Sequence, residues 1–374
     1  MTGQSVSRWK RVVIFWLFVL VAAYAAYVYP VVSISRWLGY PQWVSWPVTI
    51  GLWGLVVLGL WCSFRGHLRM IKSLWVHWMG IGFVFFSVCV VYQLLCLLLP
   101  IDDRLGVVGV ISIGVLLSLL SLFNGQRIVV KRNYCVSPKL TRPFRLVQLS
   151  DVHIGSRSGR YLARVIDRVN ALGPDAVAIT GDLVDTETVG ETELAALKKV
   201  GAPTFLSIGN HERYVGLDAL QPLVESLGVT VLRQGSQVIG EIQLIGIDDA
   251  ESSDQVAVQL PLIERCGGKY NVLLYHRPLG WLDAFAGGID LMLSGHTHNG
   301  QISPFNWLVR AQFSRIHGFY PASSGTGQHY VSPGTGTWGP VMRLGSHNEI
   351  TVFDLGPTGD AQTGCGSALL LSRR

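Results

Sequence analysis

The chain has 374 residues, which exceeds one small domain and leaves room for a membrane segment beside a globular domain. Hydrophobic residues make up 49 % and charged residues only 14 %, a balance that favours lipid contact. Residues 1–145 hold fourteen Lys and Arg against two acidic residues, whereas the remainder holds sixteen against twenty-two. The net charge of +6 therefore arises among the apolar runs, and nucleic-acid binding is a poor interpretation of it.

Four apolar runs near the N-terminus predict transmembrane helices. They cover residues 12–32, 43–62, 76–99 and 105–123. Each has roughly the 20 residues that a helix needs to cross the hydrocarbon core of a bilayer. The first is not a cleavable signal peptide, because it ends in Tyr-Pro and has no small-residue cleavage site. We therefore predict a transmembrane domain at residues 1–130 with four helices.

Lys and Arg flank these runs alternately. Three precede the first run, three separate the second from the third and six follow the fourth, whereas the other two loops hold one each. By the positive-inside rule, both termini and the C-terminal domain are expected to be cytoplasmic, on a bacterial inner membrane. The runs contain no acid or base except His77, so we expect an anchor or the wall of a lipid-access site, and not a transporter.

Six cysteines include no CxxC pair, and we interpret them as free thiols, as in a reducing compartment.

From about residue 145 the chain alternates between strand and helix patterns. Short apolar runs predict strands, and residues 158–172 carry apolar side chains at helical spacing. The predicted strands are 145–150, 175–180, 202–209, several short ones within 229–247, 269–276, 288–295, 329–333 and 347–355. Further helices are expected near 217–227 and 280–286. This alternation favours an α/β or α+β sandwich. The Gly-, Ser- and Thr-rich tail, residues 356–374, is expected to be disordered.

Five of the predicted strands are followed directly by Asp, Asn or His. These residues are Asp151 and His153, Asp182 and Asp185, Asn210, His211 and Glu212, His276, and finally His296 and His298. The ends of strands in a mostly parallel sheet share one edge, where open α/β sheets place their sites. Alone, each motif has an ordinary interpretation, such as a turn or an Asn-capped helix, but five together predict a site.

The residue types predict a metal centre. Carboxylate, amide oxygen and imidazole form a mixed shell suited to Mn, Fe or Zn. The seven potential ligands are Asp151, His153, Asp182, Asn210, His276, His296 and His298. One ion with an open position needs only three or four protein ligands, so seven indicate two divalent ions that share a carboxylate.

The complete motif set over residues 145–355 resembles the calcineurin-like metallophosphoesterases. It consists of Asp151-x-His153, Gly181-Asp182-x-x-Asp185, Gly209-Asn210-His211-Glu212, His276 and Gly295-His296-x-His298. The resemblance implies a two-sheet β-sandwich flanked by helices. It also implies two ions bridged by Asp182, one held by Asp151, His153 and His298, the other by Asn210, His276 and His296.

The resemblance further implies roles for three residues that are not ligands. His211 is similar to a histidine that contacts the phosphate and protonates the leaving group, a role that suits an imidazole. Asp185 and Glu212 resemble residues that orient histidine ligands, although a surface or helix-start role is nearly as plausible for each.

Residues 295–301 and 331–350 are similar to membrane-tethered bacterial phosphoesterases, some of which cleave the pyrophosphate of UDP-2,3-diacylglucosamine in lipid A biosynthesis. The chain departs from that subgroup at two positions. Arg277-Pro278 follows His276 where Asn-Pro or Glu-Pro is usual, and Asn299 stands where glycine is common. Arg277, Asn299 and Arg343 are candidate substrate contacts, with a structural ion pair as the alternative for each arginine.

We therefore predict a membrane-anchored hydrolase with two divalent ions, Mn, Fe or Zn, that cleaves a phosphoester or pyrophosphate. Its expected partners are membrane lipids and a phosphate-containing substrate that is lipid-linked, and no nucleic acid. A lipid-linked substrate is favoured because four helices are an elaborate tether for an enzyme of soluble nucleotides. The alternatives are a phosphodiesterase of soluble nucleotides and a non-catalytic membrane scaffold with the same fold.

Overall fold

The computed structural model describes residues 13, 16–17, 19–40, 45–65, 69–321, 327–358 and 365–368. The chain divides into two compact units, Met1–Leu122 and Phe123–Arg374. The C-terminal unit begins earlier than the predicted residue 145, because the segment Ile128–Val136 is a strand of its larger sheet.

The N-terminal unit consists of helices. Three helices in the described part are long and apolar enough to cross a membrane: Val19–Trp37, which includes a π-helical turn at Tyr24–Val28, Ser73–Cys96 and Asp103–Gln126. The run predicted at 43–62 forms the helix Trp46–Arg65, in which the apolar segment Trp46–Gly59 is shorter than the three spans above. Three of the four predicted spans are thus present by length and composition. The helix that corresponds to the run predicted at 76–99 begins at Arg69 and ends at Cys96, so Leu97–Leu99 lie outside it.

Two mixed sheets form the C-terminal unit, as the strand pattern predicts. The seven-stranded sheet has the order β13-β1-β12-β2-β3-β4-β5 and the six-stranded sheet the order β10-β11-β9-β8-β7-β6. The first sheet comprises β1 (Ile128–Val136), β2 (Phe144–Leu149), β3 (Ala176–Thr180), β4 (Thr204–Ser207), β5 (Val229–Val231), β12 (Asn348–Gly356) and β13 (Cys365–Ala368). The second comprises β6 (Gly235–Ile239), β7 (Ile242–Ile247), β8 (Tyr270–Tyr275), β9 (Leu291–Ser294), β10 (Gly318–Pro321) and β11 (Gln328–Val331).

The C-terminal unit also contains helices, most of which flank the sandwich. They are Gly159–Leu172, Glu191–Leu194, Asn210–Val215, Leu217–Ser226, Gln255–Gln259, Trp281–Ala286 and Phe305–Gln312, with 3-10 turns at Ala195–Lys199, Leu260–Leu262 and His298–Gly300. The helix Gly159–Leu172 begins where the Ser158 side chain accepts a hydrogen bond from the Tyr161 N–H and ends at the left-handed Gly173. The helix Phe305–Gln312 and strand β10 are not among the predicted elements.

Three apolar clusters hold the layers together. One cluster lies between the sheets and contains Leu146 and Phe353 from the first sheet and Leu274 and Tyr330 from the second. A second packs the helix Gly159–Leu172 against the seven-stranded sheet, and a third packs Trp281–Ala286 against the six-stranded sheet. The helix-flanked sandwich that the resemblance implied is thus confirmed.

The predictions for the C-terminal tail and the cysteines need correction. Residues 365–368 lie within the tail expected to be disordered, yet they form β13, which pairs antiparallel with β1. Cys135 on β1 is disulfide-bonded, so the interpretation of every cysteine as a free thiol is wrong. Isolated cysteines with no CxxC spacing give no local signal for a disulfide bond.

Candidate metal centre

The carboxyl ends of five strands converge at one edge of the sandwich. β2, β3 and β4 are mutually parallel in the first sheet, and β8 is parallel to β9 in the second. Each is followed by one of the loops that carry the predicted ligands. The parallel arrangement therefore assembles residues that are up to about 150 positions apart in the sequence.

Asp151, His153 and His298 form one group at this edge. His298 Nε2 lies 3.4 Å from Asp151 Oδ1 and 3.0 Å from His153 Nε2. His153 Nε2 is also 3.9 Å from Asp182 Oδ2. His153 and Asp151 are buried, whereas the side chain of His298 is 13 % exposed, so this group is reached from the solvent side at His298.

Asp182, His276 and His296 form a second group. His276 Nε2 lies 3.1 Å from Asp182 Oδ2 and 3.2 Å from His296 Nδ1. The Nδ1–H of His276 donates to the Thr180 carbonyl at 2.8 Å, which leaves Nε2 free to face the group. Asp182 is within reach of both groups, since its Oδ2 faces His153 on one side and His276 on the other.

The donor atoms fit divalent cations. The ligand atoms in each group of three lie within 4.8 Å of one another, and a further group joins His153, Asp182 and His211. Asn210 Oδ1, which belongs to a predicted ligand, is buried and has no hydrogen-bond partner among the described residues. A buried polar atom left unpaired costs free energy, and coordination is one way to satisfy it. Two cations, one in each group, therefore fit this set of residues.

Several of these side chains sit on strained backbone. Asp151, His153, Asp182, His296 and His298 all have positive φ, between 50° and 70°. Non-glycine residues rarely adopt this left-handed conformation, and they do so chiefly where a site requires it. The strain turns each side chain from its strand end toward the shared edge.

Glycines permit the loops to approach one another closely. A Cβ on Gly209 would lie 2.3 Å from Asp182 Oδ1, and a Cβ on Gly295 would lie 2.2 Å from Asp151 Oδ2. No side chain fits at either position without displacing a carboxylate. The glycines of the GNHE and GHTH motifs are therefore part of the packing of the centre.

Before any cation binds, neighbouring carboxylates favour the protonated form of two histidines. Burial opposes the charge on His153, but the carboxylates of Asp185, Asp182 and Asp151 together raise its pKa to about 9. Burial likewise opposes the charge on His276, and Asp182 and Asp151, with the Thr180 carbonyl, raise its pKa to about 10. Burial and the neighbouring His276 lower the pKa of His296 to about 3. Cation binding by His153 and His276 would therefore displace protons.

Asp185 joins two histidines of the centre. Its Oδ1 accepts from His153 Nδ1 and, at 3.1 Å, from His211 Nδ1, while Oδ2 accepts from the Ser156 N–H. These contacts fix both rings with Nε2 directed toward Asp182. Asp185 thus occupies a position from which it orients a histidine ligand, as the resemblance implied.

Asp185→Asn is expected to lower kcat/KM on a phosphodiester about 10- to 100-fold, because the amide carries no charge to support the two imidazoles and its NH2 group would face the Ser156 N–H donor. Steady-state kinetics of the purified chain measures this effect. Asp167→Asn, on the exposed face of the helix Gly159–Leu172, is the control and should leave kcat/KM unchanged. An equal response of the two variants would contradict the orienting role.

Glu212 contacts backbone amides and no histidine among the described residues. Its carboxylate accepts from the N–H groups of Asp182, Leu183, Val184 and Gly209, at 2.6–3.3 Å. The predicted contact with a histidine ligand is not among these bonds, whereas the bond to the Gly209 N–H at the start of the helix Asn210–Val215 is the helix-start role given as the alternative. Glu212 is fully buried and instead ties the loop after β3 to the loop after β4, which fixes the position of Asp182.

Glu212→Gln is expected to destabilise the chain, because the amide nitrogen of glutamine cannot accept and would face backbone donors. The loss of about 2 kcal/mol or more would lower the melting temperature by at least about 4 °C. Thermal unfolding of the purified chain measures it, with Glu225→Gln at an exposed position as the control. A melting temperature within 1 °C or so of the parent would rule out this role.

Comparison with known proteins identifies the family of the chain. The calcineurin-like phosphoesterase family model matches residues 144–300. An uncharacterised metallophosphoesterase of Helicobacter pylori is 33 % identical over 274 residues, which cover 69 % of this chain and 74 % of that protein. The chain belongs to the calcineurin-like metallophosphoesterases.

Other relatives match over less of their length. An uncharacterised metallophosphoesterase of Campylobacter jejuni is 34 % identical over 228 residues, 58 % of this chain and 60 % of the relative. A protein of Danio rerio described as a transmembrane protein with metallophosphoesterase domain is 33 % identical over 234 residues, 57 % of this chain and 53 % of the relative. The chain thus spans about half to three quarters of the length of these relatives.

The three candidate substrate contacts, Arg277, Asn299 and Arg343, have different surroundings in the structure. Arg277 pairs with Asp249 at 2.9 Å and with Glu251 at 3.5 Å, which is the ion-pair alternative. Asn299 is half-buried at φ 50° in the turn after His298, and its N–H donates to Thr297 Oγ1. Its position directly after the second histidine of the GHTH motif keeps Asn299 a candidate substrate contact.

Arg343 contradicts the prediction. It is fully buried, which argues against a substrate contact, and among the described residues it forms no ion pair. Its guanidinium donates to the carbonyls of His298, Gly336 and Gly334, at 2.9, 2.6 and 3.4 Å, and to Asn348 Oδ1 and Ser346 Oγ. These five hydrogen bonds connect the final loop to the backbone of the predicted ligand His298. Arginine suits this position because its planar guanidinium carries five N–H donors.

Two aromatic residues at the open side of the metallophosphoesterase centre are absent from the sequence predictions. The ring of Tyr214 lies 5.7 Å from the ring of His211, and the indole of Trp338 lies 6.0 Å from it. Both are exposed. The signal for Trp338 is a large aromatic within a glycine-rich loop, TGTWGP, which has no apolar periodicity to place it in a core.

Proposed function

We propose that the chain is a membrane-anchored hydrolase with two divalent cations that cleaves a phosphoester or pyrophosphate bond of a lipid-linked substrate. The observation that carries the proposal is the pair of His and Asp groups that share Asp182, within a family of metallophosphoesterases. Manganese is the cation we favour, since carboxylate, amide and imidazole ligands together suit it.

The roles of the residues follow from their positions. Asp151, His153 and His298 would hold one cation and Asn210, His276 and His296 the other, with Asp182 between them. Two bound cations supply polarisation of the phosphoryl oxygens and an activated water. His211 is not needed as a ligand, and its side chain is 16 % exposed at the mouth of the centre. Asp185 holds its Nδ1, so Nε2 can give a proton to the leaving oxygen.

A cavity beside His211 supports a substrate larger than a simple phosphate. Its volume is about 510 Å³, and Arg213, Tyr214, Leu217, Arg233, Ala250 and Glu251 line it. Tyr214 connects this cavity to the centre through its contact with the His211 ring. Arg213 and Arg233 provide cationic groups for a second phosphate or another anionic part of the substrate.

Membrane anchoring is part of the proposal. Three helices long and apolar enough to span a bilayer support it, as does the name of the Danio rerio relative. We propose that the helix Trp46–Arg65 is a fourth span and that the catalytic domain faces the bacterial cytoplasm, as the flanking Lys and Arg predict. UDP-2,3-diacylglucosamine, a precursor of lipid A, is the substrate class that the resemblance favours.

The test uses the purified full chain in detergent with Mn²⁺. It is offered bis-p-nitrophenyl phosphate, soluble nucleotides and a UDP-linked diacylated sugar. Mn²⁺-dependent release of the sugar phosphate is the expected result. Turnover of soluble nucleotides alone would favour the nucleotide phosphodiesterase, and no turnover of any substrate with two cations bound would favour the non-catalytic scaffold.

A further inference from the structure

An exposed apolar surface lies beside the metal centre. The helix Phe305–Gln312 has no buried residue, and its side chains Trp307 and Leu308 are 72 % and 60 % exposed. Soluble proteins seldom leave a group of large apolar side chains in water unless the group binds something.

This helix is fixed to the turn that carries the metal-binding histidines. A Cβ on Gly300 would lie 2.3 Å from the Asn306 Cα, so the first turn of the helix packs directly on the turn His298–Gly300. At the other end, the ring of Phe313 lies 5.4 Å from the ring of His296. Whatever binds the helix is therefore held close to the centre.

Trp338 extends the same surface to the other side of the centre. Its backbone N–H donates to Gln301 Oε1 at 3.0 Å, and its carbonyl accepts from Gln301 Nε2 at 3.0 Å. Gln301 directly precedes the segment that leads into the helix, and the indole of Trp338, which is 55 % exposed, lies beside His211. The helix and Trp338 thus border the open side of the centre together.

The charge of this region identifies what it contacts. No Asp or Glu occurs between Asp290 and Glu349, although residues 146–374 contain twenty-two acidic residues in all. Arg310, in the last turn of the helix, is exposed. A segment that exposes Trp, Leu and Arg and contains no carboxylate of its own is complementary to a bilayer interface with anionic headgroups. The same chain carries candidate membrane spans, so a bilayer is always available to it.

We propose that the helix Phe305–Gln312 and Trp338 form a membrane-docking surface, which inserts its apolar side chains among anionic lipid headgroups and opens the metal centre to the lipid surface. This inference extends the proposed function, because a centre open to the lipid surface receives a lipid-linked substrate without extracting it fully into water.

The first test measures lipid contact and does not require turnover. The full chain, with p-benzoylphenylalanine at position 307, is reconstituted in vesicles of phosphatidylcholine and phosphatidylglycerol and irradiated. The matched control carries the probe at Tyr134, an exposed aromatic position of β1. Tyr134 pairs with Asp354, six residues beyond the Ile128–Asn348 pair, and therefore lies about 20 Å from the strand ends near the centre.

Mass spectrometry is expected to find lipid adducts at position 307 in several-fold greater yield than at position 134. Equal yields at the two positions, or adducts of position 307 with protein only, would overturn the proposal, the latter in favour of a protein partner.

The second test separates lipid-borne from soluble substrates. Trp307→Ser combined with Leu308→Ser should lower turnover of a vesicle-borne lipid phosphodiester about tenfold, the effect of losing two inserted apolar side chains. Turnover of bis-p-nitrophenyl phosphate should stay unchanged, and Tyr134→Ser should alter neither. Equal effects on both substrates would overturn the docking role. If the parent chain turns over neither substrate, the proposed function fails, whereas lipid adducts at position 307 would still establish docking.

Discussion

Asp182→Asn is expected to lower kcat/KM by more than about a thousandfold and to reduce the number of tightly bound cations per chain. The reason is the position of one carboxylate between two groups of histidines. Its Oδ2 lies 3.1 Å from His276 Nε2 and 3.9 Å from His153 Nε2. Asparagine keeps the shape of the side chain but carries no charge, so both cations would lose a shared anionic ligand.

Steady-state kinetics on bis-p-nitrophenyl phosphate and metal analysis after gel filtration measure the two effects. Asp167→Asn, which removes one exposed carboxylate from the same domain, should change neither. If Asp182→Asn retained kcat/KM within about tenfold of the parent, the assignment of Asp182 as the bridging ligand would be wrong.

The strand ends show how much of the site the sequence could predict. Five short apolar runs, each followed by Asp, Asn or His, required only that neighbouring strands be parallel for those residues to meet. The described structure has this arrangement. The contacts of Glu212 were not predictable in the same way, because the motif GNHE does not show that the carboxylate turns back toward the backbone of another loop.

The strand β1 and the helix Phe305–Gln312 are among the elements that the local sequence pattern does not predict. In β1, Lys131 and Arg132 follow an apolar helix closely, and they therefore look like the positive flank of a membrane span. The strand exists because β12 and β13 pair with it on either side. The helix Phe305–Gln312 is eight residues long, shorter than the stretch over which helical periodicity is recognised in a sequence.

For Arg343, the sequence predicts a substrate contact or an ion pair, whereas in the structure the side chain holds backbone groups in place. Its guanidinium is fully buried and donates to three carbonyls, an amide oxygen and a hydroxyl. Burial lowers its pKa to about 10, so the group stays charged at neutral pH. Asn348, which accepts from it, donates in turn to the carbonyls of Gly125 and Arg127 at 2.8 and 2.9 Å. The network therefore connects the backbone of His298 to the start of the C-terminal unit.

Arg343→Met is expected to lower the melting temperature of the purified chain by at least about 6 °C, because methionine fills much of the space but leaves several buried acceptors without donors, at a cost of roughly 3 kcal/mol or more. It should also weaken Mn²⁺ binding about 10- to 100-fold, since the carbonyl of His298 is no longer held. Thermal unfolding and Mn²⁺ titration measure these effects separately, and Arg160→Met, at an exposed position, is the control. A loss of stability without any loss of Mn²⁺ affinity would mean that Arg343 supports the fold of the final loop but does not position His298. Unchanged values of both would show that the network is dispensable, and the loop would then have to be held by the pairing of β12 alone.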